Sequence, residues 1–295
     1  MPRPVRFGLA TRGARRVGVS PVRAPRHPGK IGQVSGRAAE TAHSVAPFPG
    51  RQVGAVLLRL PTSVSEAQEC LAEGAVPIGG ATLVWAGWQR DGFPEQALSL
   101  RDLPEANVVG RETLGAAVVL NRVDGPVPEV LRRAAGSVGT GAVRRTATVG
   151  GNLVGSTLRC LLPPALVLDA RCTVLEPHGR SETDLAEVLA KRPLLLSLHW
   201  REPLVSGYRK LSGESGGQPP LVVAAAVHGE GGGVRRLRVA VRDGYEVLDG
   251  SAPCGTGAEQ ALDALWDTDV GALPEAARHV VHEEVTTLLA RLAAR

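Results

Sequence analysis

Aromatic residues make up only 3% of this 295-residue chain, and lysine supplies only Lys30, Lys191 and Lys210 among 34 basic residues. So few aromatics leave little with which to stack nucleic-acid bases. No apolar run approaches the ~18 residues that a membrane-spanning helix needs. Neither GxGxxG followed by an acid nor the P-loop GxxxxGK[ST] is present; Gly139-Thr140-Gly141 fails the first at Arg144. These absences argue against a nicotinamide domain and a nucleoside triphosphatase. Gly213-Glu214-Ser215-Gly216-Gly217 spells GxSxG, but it leads through Pro219-Pro220 into an expected strand and not into a helix, so no nucleophile elbow supports an α/β-type serine hydrolase. The four cysteines (Cys70, Cys160, Cys172, Cys254) show neither CxxC nor C-x4-C spacing. They assign no zinc or iron–sulfur site and read as buried free thiols in a reducing cytoplasm. His279 and His282 beside Glu283 and Glu284 have helical ligand spacing but no third ligand, and read as a solvated helix face. No metal site is expected.

What is present is globular: 43% hydrophobic and 21% charged residues. The formal charge of +5 is unevenly divided. Residues 1–52 hold ten basic side chains and one acid, Glu40, leaving 24 basic and 28 acidic residues in the rest. The folded part therefore offers no excess positive field for a polyanion. Arg15-Arg16 has the look of an export signal, but Val17-Gly18-Val19-Ser20-Pro21 is not an apolar core segment. Residues 1–52 read as a basic, disordered tail rich in Pro, Gly, Ser and Arg.

From Val53 the pattern becomes regular. Strands are expected over 53–60, 76–78, 97–100, 114–120, 172–175, 194–200, 221–227 and 234–241. Helices are expected from Ser63, over 129–135, from Pro163-Pro164, over 258–266 and over 279–292. Ser63 and Glu66 have capping-box spacing. Leu221 to Val227 is apolar throughout and should be buried on both faces. Gly229 to Gly233 reads as a flexible hinge. The division that follows is a tail (1–52), a main domain (53–228, with subdomains of about 53–105 and 106–228) and a small C-terminal α+β domain (229–295).

Two loops carry the most chemical information: Ile78-Gly79-Gly80-Ala81-Thr82-Leu83 and Thr148-Val149-Gly150-Gly151-Asn152-Leu153. Each places a Gly-Gly pair after an apolar residue, where a strand should end. Glycine admits a ligand close to the backbone, and neighbouring hydroxyls and amides add donors. Two such loops converging would cradle a pyrophosphate. Tyr208-Arg209-Lys210 places a phenol and two cations near a sheet edge. Two readings are open there: a solvated turn, or residues facing an anionic or flavin ligand.

In order and spacing, these loops and their flanks resemble the FAD-binding (medium) subunit or domain of the molybdenum hydroxylases, of the carbon monoxide dehydrogenase and xanthine dehydrogenase type. Leu60-Pro61-Thr62-Ser63-Val64-Ser65-Glu66-Ala67 is similar to that family's opening, and Leu100-Arg101-Asp102-Leu103-Pro104 and Leu114-Gly115-Ala116-Ala117 to the segments between its loops. Leu162-Pro163-Pro164-Ala165-Leu166 is similar to the helix after the second loop. The resemblance implies an α+β, two-subdomain FAD-binding fold (PCMH-like), followed by a C-terminal domain like that of the CO dehydrogenase flavoprotein. It implies FAD contacts at Ile78, Gly79, Gly80, Ala81, Thr82 and Leu83, and at Thr148, Val149, Gly150, Gly151, Asn152 and Leu153, with loop amides on the phosphates. Thr157 and Lys210 are carried over with them. It further implies a cytoplasmic FAD-dependent oxidoreductase that passes electrons, with iron–sulfur and molybdopterin subunits as partners and NAD or a small molecule as electron partner. No nucleic-acid or membrane partner is implied.

The sequence departs from the family after the second loop. Thr157-Leu158 stands where Ser-Pro is usual, and Leu161 where an acid would grip ribose hydroxyls. Three readings therefore stay open: an electron-transfer subunit, a stand-alone flavoenzyme acting on a small metabolite, and a non-catalytic scaffold whose FAD site has decayed. No catalytic acid, base or nucleophile can be named.

Overall fold

The computed structural model of this chain describes residues 56–213, 217–255 and 257–295. The expected tail, residues 1–52, lies outside the described residues. The described residues form a mixed α+β fold built on three small sheets.

The first sheet is parallel, in the order β1 (Leu57–Arg59), β3 (Gln96–Ser99), β2 (Val76–Ile78). Helix α1 (Val64–Ala72) crosses between β1 and β2. It begins where Ser63 Oγ accepts from the Glu66 N–H (3.2 Å) and Glu66 Oε2 accepts from the Thr62 N–H (2.8 Å). Its buried Ala67 and Cys70 pack with Leu98, Leu103 and Ala106, and reach Leu175 and Leu196 of the second sheet. Helix α2 (Val84–Asp91) follows the first glycine loop and buries none of its residues.

The second sheet is antiparallel, in the order β4 (Thr113–Gly115), β7 (Leu194–His199), β5 (Arg171–Glu176), β6 (Gly179–Asp184). Helices α3 (Glu129–Gly136), α4 (Gly141–Arg144), α5 (Leu162–Val167) and α6 (Leu185–Lys191) complete this part. Strand β4 stops at Gly115, well short of Leu120. The chain there turns to bond the second glycine loop, and a Cβ on Gly115 would strike the carbonyl of Ala106.

The third sheet joins β8 (Val205–Lys210), β9 (Val222–Gly229), β10 (Arg235–Asp243) and β11 (Glu246–Pro253), all antiparallel. This pairing runs across the boundary expected at 229. Strand β9 is bonded along its length to β10, and residues 230–234 are the tight link between them. Gly231, Gly232 and Gly233 take φ of 84°, 56° and 81°, and Glu230 N–H donates to the Val234 carbonyl at 2.9 Å. The stretch expected to hinge is thus a hairpin turn in which glycine supplies the left-handed backbone.

Strand β9 is buried on both faces, as its apolar run requires, although in an antiparallel sheet. Ala224 and Ala226 face α3 and α5, while Val223, Ala225 and Val227 face α7 (Ala258–Trp266) and α8 (Glu275–Ala293). Cys70, Cys172 and Cys254 are buried, Cys160 is half-buried, and all four are free thiols. Burial pushes the Cys172 thiol up to about 12. Among the described residues no helix is long and apolar enough to cross a membrane.

Candidate functional site: two glycine loops in contact

The first loop leaves β2 at Ile78 and enters α2 at Val84. Ala81 sits at its centre with φ of 54°, a left-handed conformation that turns successive N–H groups toward one side. No hydrogen bond among the described residues occupies the amides of Gly80, Ala81, Thr82 or Leu83, and no side chain caps α2. These free donors lie at the positive end of the helix dipole, the arrangement that favours an anion.

The second loop is built differently. Val149 N–H donates to the Val118 carbonyl (3.0 Å), Gly150 N–H to that of Ala116 (2.8 Å), and Asn152 N–H to that of Thr148 (2.9 Å). Gly151 N–H donates to Thr148 Oγ1 at 3.1 Å. The loop then runs into a single π turn, Gly151–Gly155, closed by Ser156 N–H on the Gly151 carbonyl. The amides of Val149 and Gly150 are therefore committed to residues 116–118, and those of Gly151 and Asn152 to Thr148. Its available donor is the Asn152 side chain. Asn152 Oδ1 accepts the Leu161 N–H at 2.9 Å, and its Nδ2 makes no hydrogen bond among the described residues. Val149 and Leu153 are fully buried and anchor the loop in the core.

The two loops touch, and this contact is what their glycines make possible. A Cβ on Gly79 would run into Thr148 Oγ1, and one on Gly80 into the Thr146 carbonyl. One on Gly150 would sit 3.0 Å from the Ala116 side chain. Close approach of loop to loop is thus a requirement in addition to any approach of a ligand. Around the contact the charge is one-sided: from Ser137 to Leu168 the sequence carries Arg144, Arg145 and Arg159 and no acidic residue. That stretch is visible in the sequence and is a stronger signal than the single replacement at Leu161.

Leu161 itself is fully buried in the core with Leu153 and Leu162. Thr157 is exposed. The Tyr208–Lys210 segment divides between the two faces of its strand. Tyr208 is buried with its hydroxyl 2.9 Å from Ser137 Oγ, and Lys210 Nζ donates to the Ser137 carbonyl at 2.8 Å. Arg209 points to the opposite face, where it pairs with Glu283 at 2.5 Å. Only Tyr208 and Lys210 share a face, so the phenol and two cations do not act together. His279 and His282 lie beside Glu283 (3.2 Å) and Glu259 (3.8 Å).

His199 stands outside the residues that the sequence analysis singles out. Its Nε2 lies 2.9 Å from Thr173 Oγ1 and 2.8 Å from Ser197 Oγ, on a polar sheet face that lines a cavity of about 570 Å³ beside Glu105. The signal was the alternation Ser197-Leu198-His199, which sets both polar groups on one face of β7.

The donors present fit a pyrophosphate: unengaged amides at 80–83, the Asn152 amide, local positive charge, and two loops in contact. Comparison with known proteins agrees. Residues 54–199 match the profile of the FAD binding domain in molybdopterin dehydrogenase. None of the curated protein sequences matches the chain. Among solved structures, reconstituted CO dehydrogenase from Oligotropha carboxidovorans is similar, with a TM-score of 0.61 and 20% identity over 82% of this chain and 99% of that one. CO dehydrogenase from Hydrogenophaga pseudoflava gives 0.61 and 18% over 81% and 97%. Quinoline 2-oxidoreductase from Pseudomonas putida 86 gives 0.58 and 17% over 81% and 97%. At these identities the structural likeness speaks for the fold, and the profile match for the cofactor. Over residues 54–199 the chain therefore belongs to the family of the FAD binding domain in molybdopterin dehydrogenase.

Proposed function

We propose that this chain is the flavin-holding subunit of an oxidoreductase of the molybdenum-hydroxylase kind, working in the cytoplasm with iron–sulfur and molybdopterin subunits as partners. The observation that carries the reading is the contact between the two glycine loops, with free amides at 80–83 on one side and the Asn152 amide on the other. In this role the amides of Gly80, Ala81, Thr82 and Leu83 hold the pyrophosphate oxygens, and Asn152 Nδ2 adds a donor from the second loop. Thr148 fixes the second loop through Gly151, and Thr157 and Lys210 flank the site. Bound flavin supplies the redox chemistry, and the protein binds and orients it. The passage of electrons to NAD or a small molecule belongs to the same proposal. On the sheet pairing we place the boundary between the FAD-binding part and the C-terminal part at about residues 200–204.

Titration of the purified chain with FAD and with riboflavin tests the reading, because only FAD carries the pyrophosphate. The expected result is retention of FAD and weak binding of riboflavin; equal affinity for both would overturn it. A second reading, a stand-alone flavoenzyme, is favoured by the leucine in the core at 161 where the family has an acid. Flavin reduction by a small metabolite in the isolated chain would select it over the subunit.

A further inference from the structure

Among the described residues only two buried side-chain atoms lack a hydrogen-bond partner, Nε of Arg159 and Nε of Arg242. Arg159 lies in the stretch that follows the second glycine loop, and Arg242 packs against that stretch from β10. Arg242, 2% exposed on β10, donates to the Leu158 carbonyl (3.1 Å) and the Pro220 carbonyl (3.2 Å) and reaches Cys160 Sγ (3.5 Å). Arg159 lies between those two anchored residues. It is half-buried, takes φ of 41°, and its side chain makes no hydrogen bond or ion pair among the described residues.

Arg192 closes α6 with φ of 53° and is likewise unpaired among the described residues. Burial first, and then the charge of Arg192, hold the Arg159 guanidinium below its ordinary pKa. Two cations whose charges act on one another, one of them partly desolvated, are unfavourable without a counter-charge. The sequence from Ser137 to Leu168 supplies no acid to provide it. A guanidinium offers five donors in a fork suited to phosphate. Both arginines are tied to the second loop: Asn152 Oδ1 holds the Leu161 N–H, and α6 packs against the π turn 151–155.

We propose that Arg159 and Arg192 form an anion site that takes a phosphate group of the dinucleotide held on the glycine loops. Arg242 acts as a positioning residue, fixing residues 158–160 so that Arg159 faces the loop. The site rests on the FAD reading and extends it, because it gives this chain its own grip where a buried leucine stands at 161. It uses charge attraction and hydrogen bonds alone, with no covalent step.

The test uses the full chain, titrated calorimetrically with FAD and, separately, with inorganic pyrophosphate. Wild type is compared with R159Q, R159K and R192Q, with far-UV circular dichroism to establish folding. Loss of one charge-assisted contact should weaken FAD binding roughly tenfold in R159Q, with R159K in between. Pyrophosphate binding should weaken in R159Q and R192Q and fall with added salt. Should R159Q not fold, R192Q, an exposed substitution, carries the comparison. Unchanged affinities in folded R159Q and R192Q would overturn the site while leaving the FAD reading intact. If wild type takes up no FAD, that reading fails, and pyrophosphate decides alone: binding that the substitutions weaken supports the arginine site, and no binding overturns it.

Discussion

Gly80 and Gly87 lie seven positions apart and make opposite demands. A Cβ on Gly80 would meet the backbone carbonyl of Thr146, whereas one on Gly87, in α2, meets nothing within 4 Å. Gly80→Ala should therefore push the loops apart, lowering stability by about 1–3 kcal/mol and releasing FAD. Gly87→Ala should stabilise by about 0.5–1 kcal/mol and leave FAD in place. Urea melts and FAD titration of the two variants check this; similar behaviour of both would sink the loop-contact argument. His228 gives a pH-dependent prediction. Its Nε2 lies 2.8 Å from the Val167 carbonyl, so that nitrogen carries the proton, and burial above all holds its pKa below the ordinary 6.5. Arg238 and Arg201 act in the same direction, and Asp169 and the Val167 bond against it. Between the folded pKa and 6.5 the unfolded chain binds more protons, so this stability is complete above pH 6.5 and is lost as pH falls. His228→Gln keeps a donor for Val167 and should flatten the loss measured by urea melts at pH 7.5 and 5.5. An unchanged slope would assign the acid sensitivity elsewhere.

At the scale of elements, signals that act over a few residues were readable in advance. The Ser63 cap, the strand 76–78 and the helix 258–266 lie where pattern and capping put them. Ser63→Ala should cost about 1 kcal/mol, measured by urea melt, and no loss would show that Glu66 on Thr62 suffices. What was not readable depends on partners distant in sequence. Helix α2 has Trp85 at 53% exposure and buries no face, so its apolar residues give no core stripe to read. Strand β6 is polar along its length (Gly179-Arg180-Ser181-Glu182-Thr183-Asp184) and is a strand because β5 pairs with it. The two glycine loops stood out in the sequence, but their division of labour did not. That Val149 to Asn152 spend their amides on residues 116–118 and 148 follows only from the turn the chain makes after Gly115. The unpaired arginines were hidden for the same reason, since Arg242 is 84 positions from the Leu158 carbonyl it holds.

Across the whole molecule the third sheet is a shared wall. One face completes the core of α3 and α5, and the other carries α7 and α8. A cut at Gly229, where glycines suggested a hinge, would remove β10, β11 and both helices. It would bare Val223, Ala225 and Val227 together with a full strand edge. A chain ending at 229 should aggregate or lose its cooperative melt, read by size exclusion and circular dichroism. A monomeric fragment with a cooperative transition would restore 229 as a domain boundary. Residues 54–295 form one compact unit, and the cradle depends on its integrity, because Arg242 and Lys210 reach the loop flanks from the third sheet.

The central claim is that two touching glycine loops hold FAD in this chain. It is tested most directly by the visible absorption spectrum of the purified protein after incubation with FAD and desalting. The account predicts flavin bands near ~370 and ~450 nm that survive desalting in wild type and disappear in Gly80→Ala. A featureless wild-type spectrum, with the protein folded and no FAD retained, would contradict it.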